Sequence, residues 1–149
     1  MSLSSTHFIF EIASPQRVVL KADVVQVSAP TRVGEITILP THIPLVALLA
    51  PGVIEATRVD GTKEVMSVSG GFIEVLAGKV VVLADTAEHA AELDEQRIIE
   101  ARSRAEALKE QAQHQDDVDF ARLSALIEKE IARGNALHKW RKLNNISQQ

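Results

Sequence analysis

The sequence predicts a mixed fold, mainly β and then α: a β head followed by an antiparallel pair of helices. Three observations carry it. Up to Ala87 the chain is a series of short β-branched runs broken by Gly and Pro. After Ala87 there is no Pro, Gly134 is the single Gly, and Ala, Glu, Arg and Leu recur at helical spacing. Asp60-Gly61 and Ala77-Gly78 each separate two apolar runs, as tight hairpins require.

In chain order, Phe8, Phe10 and Ile12 alternate with His7, Ile9 and Glu11 and read as a half-buried strand that Ser14-Pro15 ends. Residues 18–20 and 24–27 read as the next two strands. Residues 35–39 alternate again, and 45–49 follow Pro40 and Pro44. Residues 53–59 lead through Asp60-Gly61 into 63–68, and Ser69-Gly70-Gly71 marks a turn or a close backbone approach. Residues 72–76 and 79–83 form a last hairpin. Many short strands with no helix between them argue for a sandwich or barrel.

Beyond the break, Ala91, Asp94, Ile98, Ala101, Ala105, Leu108 and Ala112 step by three and four, a seam of coiled-coil type. Glu92, Asp94 and Glu95 suit the positive end of a helix over 92–113, which would be about 33 Å long at 1.5 Å per residue. Residues 114–117 read as a turn, with Asp116 or Asp117 as the next N-cap. In the second helix Phe120, Leu123, Ile127 and Ile131 form an apolar stripe, with Leu126 and Leu137 beside it. Gly134-Asn135 is a weak point where that helix is expected to bend or stop. Most of the first seam is Ala, and Ala buries far less than the ~1.5–3 kcal/mol of a Leu or Ile. The hairpin is therefore expected to stay closed only with help from the head, a ligand or a partner. The organisation read from the chain is a head over 7–87, a hairpin over 88–143 and a tail over 144–149.

Composition excludes several function classes. A net charge of −4 and few aromatics leave neither the field nor the stacking surface for nucleic acid. The absence of cysteine removes thiolate metal sites, disulfides and thiol nucleophiles. His7, His42, His89, His114 and His138 show no metal-ligand spacing. There is no phosphate-binding Walker loop, and residues 67–71 are not a nucleophile elbow. The expectation is a noncatalytic chain with no metal and no required cofactor. The start lacks a signal-peptide pattern, and the longest apolar run, 43–54, is punctuated by Pro44 and Pro51 and falls short of the ~20 residues of a membrane helix, so a soluble chain is expected.

Four stretches then line up in order ahead of the helices: residues 34–45 (GEITILPTHIPL), 51–54 (PGVI), 69–75 (SGGFIEV) and 82–87 (VLADTA). Together they resemble the epsilon subunit of the F-type (rotary) ATP synthase. The resemblance implies a ten-stranded β-sandwich with a C-terminal two-helix hairpin. It implies a peripheral place in the central stalk, at the cytoplasmic face of the bacterial inner membrane. There the sandwich would couple rotor-ring rotation to ATP synthesis, and the helices would inhibit ATP hydrolysis. The implied partners are the gamma subunit, the membrane rotor ring and, when the tail is extended, the alpha and beta catalytic subunits.

Residue by residue, the resemblance assigns Glu35, Ile36 and His42 to rotor-ring and gamma contact. It assigns Lys129, Arg133, Lys139 and Arg141 to the catalytic head. Some family members bind ATP as a regulatory ligand in the folded hairpin. Leu93-Asp94-Glu95-Gln96-Arg97-Ile98 matches their Ile/Leu-Asp-x-x-Arg-Ala motif except at the last position. Lys129 and Arg133 match the Arg/Lys-x-x-x-Arg pattern, and Glu88 and Arg104 fall at further positions of the set. The alternative reading of Asp94 is service to the helix dipole, and of Arg104 an ordinary pair with Glu100. The chain departs from the family at Thr41, and often at Thr37, where Gly is usual. The rival to a stalk subunit is a free-standing nucleotide-sensing adaptor of the same shape.

Overall fold

The structure, a computed structural model, describes residues 6–112 and 117–147. Nine strands precede two helices: β1 (Phe8–Ala13), β2 (Val18–Thr31), β3 (Gly34–Ile38), β4 (Leu45–Leu49), β5 (Gly52–Arg58), β6 (Lys63–Val68), β7 (Gly71–Leu76), β8 (Lys79–Ala84) and β9 (Ala87–His89), a 3-10 turn at Ala90–Glu92, then α1 (Glu95–Ala112) and α2 (Asp117–Ser147). The expected turn over 114–117 falls mostly outside the described residues.

The strands run in the order β1-β8-β7-β4-β2-β5-β6-β9, with β3 on β2 and β1 also paired to β2. Two layers result, and β2 belongs to both. Its first half pairs antiparallel with β1; beyond an irregularity between Val24 and Gln26 it pairs with β5 and β3. This explains one departure from expectation. Residues 18–20 and 24–27 are one strand, because Lys21-Ala22-Asp23 carries no turn residue and continues the ladder against β1. This fusion removes one of the strands read from the sequence and β9 adds one, so the described residues hold nine strands, against the ten that the resemblance implied.

Alternation puts Phe8, Phe10, Ile12, Val24, Val27, Ile54, Met66, Ile73, Val80 and Val82 inward, where they are buried as one core. On β6 the alternation fails: Val65, Met66, Ser67 and Val68 are all buried. One face of β6 meets the core and the other meets a helix. That helix is α2, which packs on β5 and β6, while α1 packs on α2. Val65, Ala90 and Ala136 form a second small core there, with Val53, Leu93, Trp140 and Leu143 around it.

Two helical expectations change. The stripe Phe120, Leu123, Ile127 and Ile131 is not the buried face, since Phe120 and Ile131 stay exposed while Ala132, Ala136 and Leu137 are buried. Close approach to a flat sheet selects small side chains, so the docking face reads as weakly apolar. Nor does the helix break at Gly134-Asn135; α2 runs unbroken to Ser147, held by the β5–β6 face beneath it. On α1, Ile98 and Ala105 are buried as the seam predicts, whereas Leu108 is exposed. Lys109 lies over the Phe120 ring at 4.8 Å, tying the far ends of the two helices. Among the described residues no helix is long and apolar enough to cross a membrane.

Candidate functional site

The contact between α2 and the sandwich is built from small apolar side chains and ion pairs. Glu55 points outward from β5 beneath α2, and its side chain is only 11% exposed. It takes Lys63 Nζ from β6 at 2.7 Å on one oxygen and Lys139 Nζ from α2 at 2.7 Å on the other. Burial pushes the Glu55 carboxyl up, but hydrogen bonds and charge from Lys139 and Lys63 outweigh it and hold the group below its ordinary value. Six residues nearer the N-terminus of α2, Arg133 reaches Glu88 on β9 through Nε at 2.8 Å and Nη2 at 3.0 Å. Its Nη1 donates to the buried Glu130 at 3.1 Å. Arg141 joins Glu95 at the start of α1 at 2.7 Å. Arg17, after β1, joins Glu92 at 3.1 Å.

These contacts locate the residues expected to hold ATP. Glu88 and Arg133 do meet, but as each other's partners. Asp94 caps α1: its Oδ1 accepts the Arg97 amide at 3.1 Å, as N-cap carboxylates do. Arg97 and Arg104 are exposed on α1, and Lys129 is half-buried on α2. The i,i+4 ion pair on α1 is Arg102 with Glu106, not Glu100 with Arg104; Glu100 instead accepts from Gln96. A cavity of about 240 Å³ does lie between the helices, lined among others by Glu95, Ile98, Arg102, Gly134, His138 and Arg141, and by none of the six expected residues. Ile98 is buried within the hairpin.

On β3, Glu35 is exposed and Ile36 half-buried, where they pair with Pro30 and Ala29 of β2. His42 follows in the β3–β4 turn. Its amide donates to the Leu39 carbonyl at 3.2 Å, and its Nδ1 donates to that of Ile43 at 2.7 Å. Thr41 in that turn has φ +68°, the one non-Gly residue among those described in the left-handed region, whereas Thr37 is ordinary strand. Leu39 and Ile43 project from the same turn and are exposed.

One surface escaped the sequence reading. The outer face of β4, β7 and β8 carries Leu48, Phe72 and Leu83 in one cross-strand row, all exposed, with Val46 in the next row and 67% exposed. The other layer's outer face is covered by α2; this one is bare. Simple alternation would have marked it, because Val46 and Leu48 are apolar at outward positions. Glu55 and Lys63 were missed as well, although the uninterrupted burial of 65–68 follows from an unalternating run legible in the sequence.

A β-sandwich with one apolar outer face and a helical arm packed on the other defines a two-part architecture, a β head and a C-terminal helical hairpin. The comparisons agree. Residues 7–90 match the family model for the ATP synthase Delta/Epsilon chain beta-sandwich domain. The chain is 52% identical over 104 residues to the ATP synthase epsilon chain of Dichelobacter nodosus, covering 70% of this chain and 73% of that one. It is 37% identical over 135 residues to that of Bordetella petrii, covering 91% and 94%. Its fold superposes on a chain of the Euglena gracilis mitochondrial ATP synthase with a TM-score of 0.78 at 26% identity, covering 90% of this chain and 83% of that one. The chain belongs to the ATP synthase delta/epsilon family, as an epsilon-type, noncatalytic part of the central stalk.

Proposed function

We propose that the sandwich couples rotor rotation to ATP synthesis and that the α1–α2 hairpin restrains ATP hydrolysis when it leaves the β5–β6 face. The observation that carries this reading is the character of that contact. Its apolar part is small beside the core of the sandwich, built on Val65, Ala90 and Ala136 with Val53, Leu93, Trp140 and Leu143 around them, and ion pairs ring it. Such an interface is separable without unfolding the sandwich, whose own core is closed independently of α2.

The gamma subunit and the rotor ring are the partners for the surfaces that α2 leaves uncovered. The bare row Leu48, Phe72 and Leu83 supplies apolar area, and the β3–β4 turn with Glu35, Ile36 and His42 supplies a projecting edge. On the side of the extended tail the partners are the alpha and beta subunits, met by Lys129, Arg133, Lys139 and Arg141. ATP enters as a regulatory ligand only by competing with Glu88 and Glu130 for Arg133, and titration calorimetry with Mg-ATP reads that directly; no heat at millimolar nucleotide removes it.

The decisive experiment is truncation in the assembled enzyme. Because Ala87–His89 is strand β9 on β6, the cut belongs after Glu92 rather than after Ala87. Hydrolysis is expected to rise on truncation, and an unchanged rate overturns the inhibitory role. Recovery of the chain with gamma and the rotor ring separates this reading from a free-standing adaptor.

A further inference from the structure

We infer that Glu55 and Glu88 form a two-point ionic latch on α2 in which every broken pair leaves one of its two charges with a reserve partner inside the chain. This rests on the movable hairpin proposed above and goes on to say what regulates its release.

The two points lie six residues apart on α2, at Arg133 and Lys139, about 9 Å along the axis. At the first, Arg133 holds Glu88 of the sandwich and also Glu130, three residues earlier on its own helix. At the second, Glu55 holds Lys139 of α2 and also Lys63, across the hairpin on its own sheet. When α2 lifts, Arg133 keeps Glu130 and Glu55 keeps Lys63. Those two are the more buried partners of their pairs, with side chains 23% and 11% exposed against 33% for Glu88 and 42% for Lys139. The groups left alone, Glu88 and Lys139, are the ones nearer to water.

The arrangement matters because breaking a buried pair is costly chiefly through the uncompensated charge that stays behind. Here that charge is compensated in advance on both sides. The reserve partners also dilute the docking contacts themselves, since each draws on the same carboxylate or guanidinium charge as the docking pair, through a different oxygen or nitrogen. The latch is therefore set weak and reversible by Lys63 and Glu130, neither of which bridges the two parts.

This makes predictions of opposite sign. In the isolated full-length chain, Glu55→Gln with Glu88→Gln should speed amide hydrogen exchange in residues 132–140 by about tenfold, with the strands as protected as before. Lys63→Met removes a reserve partner and should slow the same exchange, because Glu55 then depends on Lys139. Lys63 is exposed at the end of β6, so this variant is expected to fold. A generally loosened fold would speed exchange in both variants. Slowing in Lys63→Met together with speeding in the double variant supports the latch, and any other combination overturns it. The readout is independent of inhibition. If exchange responds as stated but hydrolysis by the assembled enzyme is the same with the double variant and with truncation after Glu92 as with the intact chain, the latch stands and the inhibitory reading falls.

Discussion

Gly71 stands at φ +118° where β7 crosses β8. A Cβ there would overlap the Leu83 carbonyl oxygen and lie 2.7 Å from the Ala84 Cα. Both obstacles are backbone, so nothing swings aside. Gly71→Ala is expected to cost about 3 kcal/mol or more, read by urea unfolding of the isolated chain. Ser69-Gly70-Gly71 was legible as a close approach because two adjacent glycines inside a strand pattern have few other uses. Thr41 is the inverse case. It occupies a left-handed conformation that a β-branched side chain tolerates at about 1–2 kcal/mol. Glycine relieves that strain but restores unfolded-chain entropy worth about 0.4–1 kcal/mol. Thr41→Gly should therefore stabilise by about 0.5–1 kcal/mol, seen as a higher melting temperature. The sequence showed a residue out of place here but not its backbone angle, which the β3–β4 turn imposes.

Among the elements, α2 was the least legible. Its docking face opens with Ala132 and Ala136, residues that carry little hydrophobic signal, before Trp140 and Leu143 continue it, and larger side chains nearer its start drew the stripe elsewhere. Strand β9 was hidden for a similar reason: Ala87-Glu88-His89 has no β-branched residue, and it is a strand only because β6 offers a free edge. The strands of the head were legible because each alternates over a single shared core. Gly134 shows how context overrides propensity. It costs the helix about 1 kcal/mol relative to Ala, yet the helix passes through it. An added Cβ would meet only Ile98 Cγ2, at an ordinary 3.9 Å. Gly134→Ala is expected to stabilise α2 by up to about 1 kcal/mol, measured as slower amide exchange along the helix.

Across the whole molecule, acid should separate the two parts before it unfolds the head. The Glu55 carboxyl is held below its ordinary value of 4.5 in the docked state. A carboxylate depressed in this way contributes stability that is complete above the unfolded value and is lost as pH falls through the folded one. Because Glu55 keeps Lys63 when α2 leaves, only the share of the depression owed to Lys139 counts toward docking. Docking should thus be flat from neutral pH down to the ordinary carboxylate range and weaken only below it, as seen in the exchange rates of residues 132–140. Glu55→Gln should flatten that acid step while leaving α2 less protected at neutral pH. An acid step of undiminished size in the variant would assign it to another carboxylate.

Trp140 sits in the small core between α2 and the sandwich, beside Val65 and Ala136, and it is the sole tryptophan of the chain. The molecule therefore carries its own fluorophore at the joint. Under the proposed release of α2, emission from the unlabelled protein, excited where only indole absorbs, is expected to shift to the red as the indole meets water. Opening becomes measurable in real time, inside the assembled complex, wherever the other subunits are made free of tryptophan.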